Sequence, residues 1–389
     1  MDGLNKTHTH LIYLMSCALR GAEADEGVLA GANLSGLLAL ARNHSVAAMV
    51  CMVLEKTAMF VQADPGIRKQ WLDAKNKAIR KNMLLDADRI ALMDDMENAG
   101  IWHMPLKGSI LKAWYPQCGM REMSDNDILF DGSKREQVRD IFLRHGYSAE
   151  HYGKSNHDVY FKPPVYNFEM HVALFSDSDY EDLAEKYAGI RQKLLPDENR
   201  KYRLHFSPED FYVFALTHAY KHYSHSGTGI RTLADIYVMN HRIGPSLDWR
   251  YVEKELEELS IREYEKSSRV LAEKVFGEKP VSDIALTTQE QEMLLYYMQA
   301  STYGSIENGV NNQLHTIQPN GAPITGLTKL RYCLSRLFPS RKWCKDKYPF
   351  VYRHPYLMPL FWVWRWIAKI PAKKNKVMKE LSALKSSKS

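Results

Sequence analysis

The feature that most limits the fold is a change of hydrophobic period partway along the chain. Up to residue 95, apolar residues recur at three-to-four spacing in LIYLMSCAL, LSGLLALARNHSVAAMVCMVLEK and NMLLDADRIALMDDMENAG, which predicts amphipathic helices. From 101 to 175 the chain switches to short β-type runs: IWHMPL (101–106), DILF (127–130), DVYFKP (158–163) and YNFEMHVALF (166–175). A helical SKREQVRDIFLRHG separates the second run from the third. The helical period returns in SPEDFYVFALTHAYKHY, where Ser207 is placed to cap, Pro208 takes the first helical position and acids fill the first turn. Asn33 and Ser35 are candidate caps upstream, and Gly100 is placed to stop the last long N-terminal helix.

That order predicts an α+β fold, a mixed-sheet core flanked by N-terminal and C-terminal helical domains. The expected division is 1–95 helical, 96–176 mixed α/β, 177–300 helical, and 301–389 a loop with an aromatic and basic tail. The turn-rich stretch 317–328 (IQPNGAPITGLT) separates the tail from the body.

With 389 residues, 45% of them hydrophobic, the chain has ample material for packed cores. The N-terminus shows no basic region followed by an apolar run, so export is not expected. Cys17, Cys51, Cys118, Cys333 and Cys344 are scattered without a CxxC pair, which argues against a zinc site and fits a cytoplasmic location. A formal charge of +6 does not by itself indicate nucleic-acid binding. Its distribution is more telling, since eight Lys/Arg and only Glu380 among acids lie from Arg365 onward.

The chemistry concentrates in two pieces. Lys107-Gly108-Ser109 follows a β-type run and opens a short helical segment, so its amides are suited to an anion, with Gly108 permitting close approach and Ser109 or Lys107 adding a donor. Asp125-Asn126-Asp127 sets two carboxylates two residues apart at the start of a strand, hence on one face. Such a pair suits Mg²⁺, and a two-ion phosphoryl-transfer site wants a third acid from a neighbouring strand. Glu169, an acid within an apolar run, is the natural third, and His171 shares its face. Taken singly, a DxD is commonly a turn or cap and a Gly-Ser a plain loop. Glu169 and His171 alone would fit the wet face of an edge strand. Only the chain order of all the parts makes the combination specific.

Those residues resemble the nucleotidyltransferase superfamily related to DNA polymerase beta. More narrowly, LKGSILKAWYP, GMREMSDNDILF and YNFEMHVALF resemble a family of uncharacterised bacterial nucleotidyltransferases. THAYKHYSHSGTGIRTLADIYVM, with His218, Arg231 and Asp235, and RLFPSRKW are similar to further segments of that family. The resemblance implies a mixed-sheet nucleotidyltransferase core with Asp125, Asp127 and Glu169 binding Mg²⁺ (or Mn²⁺). It also implies Gly108 and Ser109 on the triphosphate, and Lys107 and Arg121 neutralising phosphate or binding acceptor. As long cations near carboxylates, Lys107 and Arg121 fit the role of ion-pair partners equally well. Asn126 departs from the apolar residue that the superfamily prefers between the aspartates.

The expected reaction moves a nucleoside monophosphate from an NTP, ATP among the candidates, to an acceptor hydroxyl by two-metal phosphoryl transfer. His171, His218, Arg231 and Asp235 are the candidate acceptor-side residues. A small molecule, a glycan or a protein is favoured over RNA, because no aromatic-plus-basic pattern surrounds the motifs. His218, His222 and His225 near helical spacing read as packing or acceptor-binding residues rather than a metal site. Arg231 and Asp235, four apart, read either as a surface ion pair or as a contact to the core or substrate. The aromatic run 356–370 is too short to span a bilayer. It docks on the protein's own surface, the preferred reading, or lies peripherally at the inner membrane face. The rival functions are a nucleotide-binding regulator without turnover and a membrane-surface assembly protein.

Overall fold

In the computed structural model, residues 3–176, 181–302, 304–318, 323–369 and 374–386 are described, and part of the 317–328 loop and the last residue of the aromatic run lie outside them. The N-terminal segment folds as α1 (Lys6–Arg20), α2 (Leu34–Asn43), α3 (Ala47–Leu54), α4 (Ala58–Gln62) and α5 (Pro65–Asn98), the last running 34 residues. Asn33 caps α2 by accepting from the amides of Ser35 and Gly36. Gly100 follows α5 with φ 69°, a left-handed turn that glycine adopts without penalty.

The sheet then forms from β1 (His103–Pro105), β2 (Asn126–Phe130), β3 (Ser148–Ala149), β4 (His157–Lys162) and β5 (Tyr166–His171), with α6 (Gly108–Leu111) after β1 and α7 (Arg135–Arg144) after β2. Among the described residues its order is β1-β2-β5-β4-β3, and it is mixed. The β2–β5 pair is parallel, while β1–β2, β4–β5 and β3–β4 are antiparallel. Strand alternation assigns the two faces. Ile128, Phe130, Tyr160, Phe168 and Met170 pack with Leu92, Met93 and Met96 of α5 and with Val138, Ile141 and Phe142 of α7. The intervening positions, Asp127, Glu169, His171 and His157, therefore face the other way. β5 is shorter than the sequence suggests: Tyr166–Phe175 reads as one apolar run, but pairing ends at His171, and Leu174 and Phe175 are buried in the larger helical core.

After α8 (Glu181–Lys186) and the small hairpin β6 (Leu195–Pro196) and β7 (Leu204–His205), the second helical part comprises α9 (Pro208–His225), α10 (Arg231–Arg242), α11 (Trp249–Glu258), α12 (Arg262–Val275) and α13 (Thr288–Gln299). Ser207 caps α9 with Pro208 at its first position. One continuous apolar core joins α1 and α3 to α9, α10, α12 and α13 and reaches Met104 and Leu129 of the sheet. The tail adds α14 (Ile306–Ile317), α15 (Gly326–Leu337), α16 (Cys344–Lys347), α17 (Pro349–Arg353), α18 (Met358–Ala368) and α19 (Lys374–Ser386). These pack around small clusters of their own, at Val310, Leu314, Tyr332 and Leu384 and at Cys344, Met358 and Phe361.

His44, at the end of α2, links the two helical parts. It is 1% exposed and its Nδ1 accepts from the Ile230 amide at 3.3 Å. Burial, reinforced by the nearby His8, pushes its pKa down to about 4, so the native ring is neutral while the unfolded chain binds a proton below 6.5. This contribution is complete above pH 6.5 and is lost as pH falls from 6.5 toward 4, to a limit of about 3 kcal/mol. Denaturant titrations between pH 8 and 4 measure it, and His44→Gln is expected to flatten that part of the acid limb.

Candidate active site

The Leu106 amide donates to the Asp127 carbonyl at 2.9 Å, which keeps the chain leaving β1 beside β2. Lys107 then turns with φ 46° and ψ −114°, a region costly for a residue with a Cβ and close to the first corner of a type II′ turn. Strain of this kind persists where the surroundings over-determine it and concentrates at functional sites. Here it brings the Lys107 ammonium to 3.2 Å from Asp127 Oδ1.

At Gly108 a Cβ would collide with the Arg121 guanidinium and stand 3.1 Å from the Met123 side chain, so only glycine fits. The Ser109 hydroxyl, in contrast, donates to the Leu106 carbonyl at 2.7 Å, and the Ser109 amide bonds the same oxygen. Gly108 and Lys107 line the cleft; Ser109 is buried behind the turn and does not. The Ser109 hydroxyl, expected on the triphosphate, closes the turn in this structure.

Asp127 stands opposite Glu169 in the parallel β2–β5 register, and Asp125, two residues earlier, lines the same cleft of about 500 Å³. His171 Nε2 lies 2.8 Å from Asp127 Oδ1 and 3.8 Å from Glu169 Oε2. The next strand contributes His157, paired in register with His171 and 4.0 Å from Glu169 Oε2. Among the described residues, one oxygen or nitrogen each of Asp127, Glu169 and His171 lie within 4.8 Å of one another, close enough to share an ion. Asn126, between the aspartates, points to the opposite face and donates to the Leu85 carbonyl of α5 at 3.0 Å. The departure from an apolar residue is thereby explained by a polar anchor that leaves the acids untouched.

The charges are unevenly shared. Burial alone would raise the Asp127 pKa, but the Lys107 ammonium and the His171 ring outweigh it and hold this carboxylate well below its usual range. Asp125 is pushed up to about 7 by burial and by the charges of Asp127 and Glu169, against weaker relief from Lys107 and Lys81. Glu169 is raised by burial and by Asp127. Burial lowers His171 despite its bond to Asp127, so the neutral ring donates through Nε2, and Nδ1 is left a buried acceptor without a partner. Three hard oxygen donors with their negative charge only partly offset suit a divalent cation such as Mg²⁺ or Mn²⁺.

Around this centre the structure separates the remaining candidates. Arg121 grips Asp235 through two hydrogen bonds of 2.7 and 2.9 Å, and Tyr115 donates to the same carboxylate at 2.7 Å. Asp235 therefore pairs with a residue 114 positions earlier, a contact to the core, which was the alternative to a surface pair with Arg231. Arg121 meets Gly108 from below with its guanidinium already engaged. Arg231 donates to the Glu122 carbonyl at 3.0 Å and lines the cleft. His218 and His222 also line it, their Nε2 atoms 3.3 Å apart, while His225 lines a different groove. Burial holds His218 far below its usual pKa and brings His222 to about 4, so both rings are neutral at pH 7. Sequence reasoning missed His157. Its position was encoded in the hairpin register, in which Lys162 pairs with Tyr166 and His157 with His171.

The profile of a family described as "Uncharacterised nucleotidyltransferase" matches residues 31–277, which include every strand of the five-stranded sheet and every residue of the cleft except Thr302. No curated protein and no solved structure matches the chain. Nucleotidyl transfer from an NTP is the general activity that this description carries. With more than half of its length matched, the chain belongs to the uncharacterised nucleotidyltransferase family.

Proposed function

We propose that this cleft moves a nucleoside monophosphate from an NTP to an acceptor hydroxyl, with Asp125, Asp127 and Glu169 holding Mg²⁺ or Mn²⁺. The observation that carries the reading is the register of Asp127 against Glu169 on the open face of the sheet, with Asp125, just before β2, lining the same cleft. When bound, divalent cations there supply charge to the phosphoryl oxygens and lower the proton affinity of the attacking hydroxyl. The protein's own part is positioning and charge. His171 fixes the Asp127 carboxylate through its 2.8 Å bond. Lys107, beside Asp127, is within reach of a phosphate brought to that carboxylate, and the missing Cβ of Gly108 makes room for the Arg121 guanidinium and Met123 that back the turn. Arg231 and the neutral His218, which line the cleft, would bind the acceptor. Arg121 and Asp235 support the turn from behind rather than binding substrate. The regulator reading is disfavoured, because the sequence keeps Asp125, Asp127 and Glu169, and a chain without turnover would be expected to lose one of them.

Calorimetric titration with α,β-methylene analogues of the four NTPs tests this. At least one analogue is expected to bind with Mg²⁺ present, and binding is expected to vanish with chelator and in Asp125→Ala/Asp127→Ala. Equal binding by that variant would remove the cation site from the account.

A further inference from the structure

The tail differs from the body in both charge and surface. Residues 323–389 contain sixteen Lys/Arg and two acids, so although the whole chain is only +6, everything before residue 323 is net negative. Among the described residues, thirteen of the nineteen exposed large hydrophobic side chains lie between Leu327 and Leu381. They form stripes: Leu327, Leu330, Leu334 and Leu337 recur at helical spacing on α15, and Leu360, Val363, Trp364 and Ile367 do so on α18.

The two helices are joined on another side. Trp362 and Trp366 donate their ring N–H groups to the carbonyls of Pro339 and Leu337, Arg365 donates to the Arg336 carbonyl, and Phe338 meets both tryptophans edge-on. The aromatic segment thus docks on the chain by one face, as expected, while its other face stays uncovered, with Leu360 69% and Ile367 73% exposed.

We propose that α15, α18 and α19 form a face that docks on an anionic lipid bilayer without crossing it. Charge and composition select this partner. Leu, Ile and Val side chains gain by entering an acyl layer, Trp suits its boundary, and the surrounding Lys and Arg attract acidic headgroups. A nucleic acid would satisfy the cations but give no reason for exposed aliphatic stripes. No described helix is long and apolar enough to span a membrane, so the contact is lateral. This face lies beyond residue 277, where the family match ends, and its helices wall a groove of about 1200 Å³ that shares Asn156, His157 and Ser176 with the cleft. Docking by this face would hold the cleft next to hydroxyl-bearing molecules at a bilayer surface.

Co-sedimentation of the full chain with vesicles of phosphatidylcholine alone, or with about 30% phosphatidylglycerol added, tests the proposal. Binding is expected to the acidic vesicles and to be at least about tenfold weaker in Leu360→Ser/Ile367→Ser, since two large apolar groups no longer enter the lipid. Both positions are exposed, so melting temperature and NTP-analogue binding are expected to stay unchanged in that variant. The readout needs no nucleotide, so its failure is separable from failure of the transferase reading. No sedimentation with acidic vesicles, or sedimentation unaffected by the double substitution, would overturn the proposal. Displacement of the protein from vesicles by single-stranded RNA that the double variant binds equally well would also overturn it, in favour of a nucleic-acid partner.

Discussion

Asp127→Asn is expected to lower nucleotidyl transfer by about 10³-fold or more, roughly 4 kcal/mol of transition-state stabilisation. This carboxylate is where the site converges: Lys107 at 3.2 Å, His171 at 2.8 Å and Glu169 across the strand pair all meet it. An amide of the same shape preserves packing but withdraws a full negative charge from the position where a cation would be held. Stability should not follow activity downward. Removing one of three crowded carboxylates relieves the repulsion that raises Asp125 and Glu169 and forfeits the attraction of Lys107 and His171, so the melting temperature is expected to change little. Pyrophosphate release from the NTP selected by calorimetry, with a mixed pool of hydroxyl acceptors, measures the first effect, and a thermal melt measures the second. Lost activity with a collapsed melt would instead mark Asp127 as structural.

Asp235→Ala is expected to act in the opposite sense, destabilising the fold by about 3–5 kcal/mol because it strands the Arg121 guanidinium in the interior. The side chains of Arg121 and Asp235 are only 10% and 14% exposed, and Tyr115 loses its acceptor at the same time. Since the guanidinium lies against Gly108, release of this pair also loosens the turn that aims Lys107. The paired replacement Arg121→Met/Asp235→Leu is expected to recover most of the lost stability, as apolar pairs of similar volume often do at buried ion pairs. Denaturant unfolding of the two variants checks this. If Asp235→Ala keeps full stability and only weakens acceptor binding, Asp235 is a substrate ligand after all.

The contrast between these residues shows which part of the site was legible in the sequence. Asp127, Glu169 and His171 could be placed on one face because strand alternation is a local rule, and the parallel pairing of β2 with β5 then aligned Asp127 with Glu169, while Asp125, just before β2, lines the same cleft. Caps were equally local, at Asn33, Ser207 with Pro208, and Gly100. What stayed hidden depended on distant partners. Arg121 fitted equally as a phosphate ligand and as an ion-pair partner, and only the fold brings Asp235 to its guanidinium. Asn126 looked like a departure from pattern until the Leu85 carbonyl on α5 explained it. Ser109 is ambiguous in sequence for a different reason, since a serine in a tight turn bonds the turn's own carbonyl as readily as a ligand. The end of β5 at His171 was hidden too, because Val172–Phe175 is as apolar as a strand while its Leu174 and Phe175 serve the helical core.

Manganese binding followed by electron paramagnetic resonance, with an NTP analogue present, tests the central claim most directly. The wild type is expected to deplete the free-ion signal, and Asp127→Asn and Glu169→Gln are each expected to weaken that uptake by about tenfold or more. Uptake by both variants equal to that of the wild type would mean that the carboxylates at the start of β2 and on β5 do not hold the ion, and the proposed mechanism would fall.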